Sequence, residues 1–291
     1  MRRTKADRQT DDRIAGELAA KADSLSKRML EVTVPIYLGT EKEPSLVGSA
    51  VLVTLAGDRF LITAGHVFDW RQHGPLLVGV SPELVSLAGT LWRIPDADSH
   101  DKSFDHIDLG IVRLNGGPWE TLPLDRLCSW TELDIDAPLV ERHTFGLMGF
   151  PLATNRQPIE GDRIKSFAFT AGGLECDLAT YQAADRNPLS NLMIGYDHKT
   201  MSGAKGRLTA PALNGASGGG IWRFGRKLRE TTRSPLLSAI FTEWHKGKHK
   251  YLFGTRVQVV VGLLTGQFPH VREFVEAELG VQSSAENGNA T

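Results

Sequence analysis

From Glu31 onward the chain is a succession of short apolar runs, rich in β-branched and aromatic residues and cut apart by Gly, Pro, Asp and Asn, and this rhythm limits its fold more than any other feature. The first runs read as strands at Val32 to Leu38, Val47 to Leu55, Phe60 to Thr63, Leu76 to Val80, Leu84 to Trp92 and Leu109 to Leu114. A second set covers His143 to Met148, Ile164 to Thr170, Leu192 to Tyr196, Gly219 to Trp222, Leu236 to Thr242 and Tyr251 to Val257. Ala56-Gly57-Asp58-Arg59 reads as a hairpin turn. Many short strands with turn residues between them favour an antiparallel barrel or sandwich over alternating βα units. The length of 291 residues accommodates two barrels, expected over 31–135 and 136–265 with the break near Asp125 to Val140.

Helical patterns lie at the two ends. In the extension 1–30, Ile14, Leu18, Ala22, Leu25 and Met29 form one stripe of an amphipathic helix over Asp11 to Met29, with Thr10 as N-cap, expected to pack on the outside of the body. In 266–291, Phe268, Val271, Val275 and Leu279 sit about one turn apart in a closing helix, followed by a polar tail, Ser283 to Thr291. A content of 41% hydrophobic residues is enough for a sizeable core. A formal charge of -1, with acids and bases interleaved, gives no electrostatic footprint for nucleic acid. No window approaches the roughly 18 apolar residues of a membrane span. Cys128 and Cys176 lack metal-ligand spacing and such sparse use suits a reducing compartment, and Met1 to Arg8 does not read as a secretory leader, so a cytoplasmic location is expected.

The chemistry concentrates in Asn214-Gly215-Ala216-Ser217-Gly218-Gly219-Gly220. A serine hydroxyl becomes a useful nucleophile only when a base removes its proton and nearby N–H groups receive the oxyanion that forms. The glycines leave such N–H groups bare, and those of Gly215 and Ser217 are the candidate oxyanion donors. The same residues satisfy Gly-x-Ser-x-Gly, the nucleophile elbow of α/β-hydrolases. That elbow opens a helix, whereas Gly218-Gly219-Gly220 opposes one, and no aspartate follows Ser217 to act as the elbow's acid.

His66 ends the run Phe60-Leu61-Ile62-Thr63-Ala64-Gly65, where Ala64 and Gly65 remove bulk beside an imidazole that could act as general base. Asp108 enters an otherwise apolar strand through Leu109, Ile111, Val112 and Leu114, and a carboxylate there needs a partner. A histidine N–H is suitable; Asp105 is the rival orienter. His245 and His249, four apart amid lysines, read as part of a hairpin tip over Trp244 to Lys250 rather than a metal pair. With no His-Glu-x-x-His motif either, no metal or organic cofactor is expected.

Gly48-Ser49-Ala50-Val51-Leu52-Val53, Leu61-Ile62-Thr63-Ala64-Gly65-His66-Val67, Asp108-Leu109-Gly110-Ile111-Val112-Arg113-Leu114 and Gly215-Ala216-Ser217-Gly218-Gly219 together resemble the chymotrypsin-like serine peptidases, over roughly Val47 to Val257. Gly146-Leu147-Met148-Gly149-Phe150-Pro151 resembles a strand of the bacterial stand-alone branches. The resemblance implies two six-stranded antiparallel barrels, with His66 and Asp108 from the first and Ser217 from the second. It also assigns Pro211, Asn214 and Thr242 to the substrate. Secreted digestive members carry an aspartate before the serine that pairs with a new N-terminus; Ala216 stands there, so no activating cleavage is expected. Pro211 stands where an acidic pocket floor selects Lys or Arg, which favours a small or apolar residue before the scissile bond.

The function expected on these grounds is serine endopeptidase, acting on a protein or peptide substrate through an acyl-enzyme and restrained by a regulatory partner or trigger. The alternative is a catalytically silent peptidase-like fold used for binding or scaffolding.

Overall fold

The computed structural model describes residues 25–39, 44–80, 83–94, 106–137, 143–155, 159–160, 163–164, 169–196, 201–203, 206–208, 212–225, 234–245 and 250–280. The expectations for 11–24, Asp105, Pro211, the hairpin tip 246–249 and the tail 283–291 fall outside these residues.

Strands β1 (Thr33–Leu38), β2 (Ser45–Leu55), β3 (Asp58–Thr63), β4 (Leu76–Val80), β5 (Glu83–Ser86), β6 (Gly89–Arg93) and β7 (Gly110–Leu114) form one antiparallel sheet, ordered β5-β4-β1-β2-β3-β7-β6. The later strands are β8 (Thr144–Gly149), β9 (Ile159–Glu160), β10 (Arg163–Ile164), β11 (Phe169–Leu174), β12 (Asn191–Gly195), β13 (Met201–Gly203), β14 (Gly206–Leu208), β15 (Gly220–Gly225), β16 (Leu236–His245) and β17 (Tyr251–Arg256). Six of these make a second antiparallel sheet, β11-β8-β15-β16-β17-β12, while β9 with β10 and β13 with β14 are separate pairs. The first sheet curls into a half-barrel. The second nearly closes, with a bridge from Glu175 to Ile194 joining its two edges.

The two antiparallel barrels read from the sequence are therefore present, with one difference in the first. The run Leu84 to Trp92 is two strands, which makes seven in that sheet. Leu87 and Ala88 separate them, and Gly89 opens β6 at φ +143°, where a Cβ would lie 2.1 Å from the Arg113 carbonyl oxygen. Of the stretch Ile164 to Thr170, Ile164 ends β10 and Phe169 and Thr170 begin β11, while 165–168 lie outside the described residues. The turn at Ala56-Gly57 has φ of 51° and 83°, the left-handed pair of a two-residue hairpin whose twist matches its strands.

Helix α1 spans 25–32, running past Met29 into the expected first strand. Met29 is buried in the core, and Arg28 grips Glu132 through Nε to Oε1 at 2.5 Å and NH2 to Oε2 at 2.7 Å. Short helices α2 (Pro118–Thr121) and α3 (Leu178–Ala183) line the connections. The C-terminal region holds two helices, not one: α4 (Val257–Gln267) and α5 (Pro269–Glu278). Helix α4 buries Val257, Val260, Val261 and Leu264, one face at helical spacing, and this packing outweighs the strand preference of a valine-rich run. Pro269 starts α5, where its missing N–H has no helical partner to lose. Between them Phe268 packs on Phe60 and Trp92, with ring centroids 5.6 Å and 4.9 Å away, and so ties the C-terminal helices to the first sheet.

A buried ion pair anchors the second sheet. Arg256 and Glu175, each with a side chain 1% exposed, meet at 2.5 Å. Arg256 Nε also donates to the carbonyls of Pro188 and Asn191, and the Tyr181 hydroxyl donates to Glu175 at 3.0 Å. Such a pair is tolerable in a dry interior only when satisfied in this way.

Candidate active site

The register of the first sheet brings the candidate base to its acid. Strand β3 pairs with β7 so that Thr63 faces Gly110. Residues just past the end of one strand then lie beside those just before the start of the other. His66, in a 3-10 turn over Gly65–His73, meets Asp108 there. Its Nδ1 lies 2.5 Å from Asp108 Oδ2, and its backbone N–H donates to Oδ1 at 2.9 Å. Both carboxylate oxygens are engaged by one residue, which fixes the carboxylate plane against the imidazole. Gly65 is the condition for this approach: a Cβ there would lie 2.8 Å from Asp108 Oδ1.

The pair polarises itself. The hydrogen bond to Asp108 raises the His66 pKa above its ordinary value against the effect of burial, and the charges of Asp108 and Asp69 add to the rise while Arg93 opposes it. Burial pushes the Asp108 carboxyl up, but its hydrogen bonds and attraction to His66 prevail and hold it below the usual range. With the Nδ1 proton directed at the carboxylate, Nε2 is left as the acceptor.

Ser217 arrives from the second sheet on a loop threaded through contacts too close for side chains. Gly218, at φ +89°, would put a Cβ 2.0 Å from both the Ser49 carbonyl oxygen and Thr63 Oγ1. The loop is pinned by Gly218 N–H to Phe241 O at 2.7 Å, Phe241 N–H to Gly219 O at 2.8 Å and Ser49 N–H to Ser217 O at 2.8 Å. It therefore lies against Thr63, three residues before His66. The Ser217 hydroxyl donates to the Thr242 carbonyl at 3.2 Å, and among the described residues no hydrogen bond joins it to His66.

Thr242 sits at a register shift between β16 and β17, where a bulge re-aims the strand toward the serine. It is buried, and its hydroxyl bonds the Phe253 carbonyl at 3.3 Å. Next to it Glu243 pairs with Arg186, whose guanidinium lies 4.7 Å over the Phe253 ring.

Gly215 has φ +87°. Among the described residues, neither its N–H nor that of Ser217 meets a backbone acceptor. The carbonyl of each of those two peptide groups is held from behind: Asn214 O accepts from Leu152 N–H at 2.7 Å, and Ala216 O from Gly219 N–H at 2.9 Å. In a trans peptide the N–H points opposite to the C=O, so anchoring the carbonyls fixes the direction of both N–H groups. Asn214 itself is exposed. Ser49, Phe150 and Leu152, to which the sequence reading gave no role, thus surround the serine loop.

No family model and no curated protein matches the chain. Among solved structures it is similar to neuropsin, a serine protease expressed in the limbic system of mouse brain, with a TM-score of 0.53 and 15% identity over 82% of this chain and 95% of that one. It is also similar to an inactivated protease paralogue of the scabies mite, with a TM-score of 0.51 and 13% identity over 82% of this chain and 94% of that one. At such identities likeness speaks for architecture alone, and the architecture agrees with the two sheets traced above: the chain has the chymotrypsin-like serine protease fold.

Proposed function

We propose that this protein is a serine endopeptidase in which Ser217 is the nucleophile, His66 the general base and then acid, and Asp108 the group that orients the histidine. The observation that carries the reading is the His66–Asp108 pair, whose bond at 2.5 Å engages Nδ1 and leaves Nε2 as the nitrogen to take a proton. In acylation Ser217 Oγ bonds the substrate carbonyl carbon as its proton passes to His66 Nε2, and the N–H groups of Gly215 and Ser217 receive the oxyanion. The imidazolium then protonates the leaving amine as the C–N bond breaks. Water, deprotonated by the same nitrogen, releases the acyl group.

Pro211, in place of an acidic floor residue, supports a small or apolar residue before the scissile bond, and Asn214 and Thr242 border the substrate in this reading. The two free cysteines suit a reducing compartment. Gly146 to Pro151 supports the bacterial stand-alone branch, and a peptidase working in the cytoplasm calls for a regulatory partner.

The test is covalent labelling by a fluorophosphonate probe. Wild type is expected to label, Ser217→Ala not at all, and His66→Ala more slowly by about 10²–10⁴-fold. One observation favours the silent binding module instead: the Ser217 hydroxyl is bonded to the Thr242 carbonyl. A folded wild type that never labels would decide for that alternative.

A further inference from the structure

Ser49 occupies the middle of β2 with no exposed surface. A hydroxyl in such a place is costly unless bonded, and here it is bonded twice, across the junction of the two sheets. It donates to the Gly215 carbonyl at 3.0 Å and accepts the Phe150 N–H at 2.9 Å. The Ser49 N–H holds the Ser217 carbonyl at 2.8 Å, and the Ser49 carbonyl accepts the Thr63 hydroxyl at 2.7 Å.

These contacts converge on the two peptide groups that flank Gly215. Phe150 leads through Pro151 to Leu152, whose N–H holds Asn214 O at 2.7 Å. That carbonyl belongs to the peptide group that carries the Gly215 N–H. The following peptide group, through Gly215 O, is held by Ser49 Oγ directly. Gly215 sits between them at φ +87°, a region open to glycine and to its neighbouring conformations alike, so its own backbone does little to choose the orientation. The Ser49 hydroxyl thus secures both planes flanking Gly215, one directly and one through the Phe150–Leu152 segment.

Building on the peptidase reading above, we propose that Ser49 is a positioning residue for oxyanion stabilisation: its hydroxyl keeps the Gly215 N–H directed at the substrate carbonyl oxygen without touching substrate. The main-chain bond from Ser49 to Ser217 survives substitution, whereas the hydroxyl bonds do not. Alanine fits the site, so Ser49→Ala removes the hydroxyl with little change in volume.

The experiment follows phosphonylation of Ser217 by a fluorophosphonate over a pH series, separated into probe affinity and the limiting rate. In Ser49→Ala the limiting rate is expected to fall about ten- to hundredfold, the scale of a small misplacement at a reacting centre. Probe affinity and the pH midpoint should stay put, because the His66–Asp108 bonds do not involve Ser49. A second measurement needs no reaction: amide hydrogen exchange at Phe150 and Leu152 should quicken in Ser49→Ala while the β2–β3 ladder is unchanged. Equal limiting rates, a fall explained by a moved pH midpoint, or unchanged exchange at both amides each overturns the assignment. A wild type that fails to label sinks the peptidase reading and this role with it. A labelling wild type matched by Ser49→Ala sinks the Ser49 role alone.

Discussion

Asp108→Asn isolates the orientation of the histidine from its position. The amide oxygen can still accept the His66 backbone N–H, now bonded at 2.9 Å, which places an NH2 group where Oδ2 lies 2.5 Å from Nδ1. A donor there forces Nδ1 to be the acceptor, so the ring proton moves to Nε2, which can then no longer take a proton from the nucleophile. In Ser-His-Asp sites this exchange lowers turnover about 10⁴-fold with geometry intact. At about 1.36 kcal/mol per tenfold, that is roughly 5.4 kcal/mol of transition-state stabilisation. Simple loss of charge attraction contributes little of it, because the His66 and Asp108 side chains are 44% and 27% exposed and water screens them. The pH dependence has a definite sign. In wild type the reactive neutral imidazole appears as pH rises through a midpoint above the ordinary value of about 6.5, since Asp108 favours the protonated form. In Asp108→Asn that support is gone while burial remains, so the midpoint moves down. Phosphonylation rates across the neutral range, with a melting curve to verify folding, measure both effects. Rates within about tenfold of wild type at every pH, or a midpoint moving up, would refute the assignment of Asp108.

Two further predictions concern the frame. Gly218→Ala should cost at least about 1–2 kcal/mol from its left-handed backbone alone, with more from the overlap at 2.0 Å against two oxygens, whereas Gly262→Ala, an open position on α4, should gain about 0.5–1 kcal/mol. Urea melts of the two variants should move in opposite directions, and equal shifts would contradict the packing. Glu175→Ala leaves Arg256 buried without its acid and should cost about 3–5 kcal/mol, visible as a lowered denaturation midpoint; a loss under about 1 kcal/mol would mean that water or another acceptor takes the carboxylate's place.

The candidate residues His66, Asp108 and Ser217 stand out in the sequence because each breaks a local pattern: an imidazole after small residues, a carboxylate entering an apolar strand, a hydroxyl among glycines; the structure joins the first two directly. The strand rhythm gave both sheets for the same reason, since alternation and turn residues act over a few positions. The need for glycine at 89, just after the break between β5 and β6, was not legible, because it comes from the Arg113 carbonyl on another strand. Helix α4 was missed although its buried residues 257, 260, 261 and 264 carry helical spacing, because the valines that supply it equally suit a strand. Ser49 lies in the run Gly48 to Val53, where nothing local marks its role. Its partner Gly215 is 166 residues away, a relation that no local pattern contains.

The attachment of Phe268 to Phe60 and Trp92, with Met29 and Val271 in the same apolar cluster, bears on how the molecule comes into being. One face of the sheet that carries the histidine is covered by helices lying beyond the serine in chain order. While the polypeptide is being made, that face stays bare until the two helices emerge, and a premature stop before Val257 would leave the serine translated but the apolar residues Phe60, Ile62 and Ile111 uncovered.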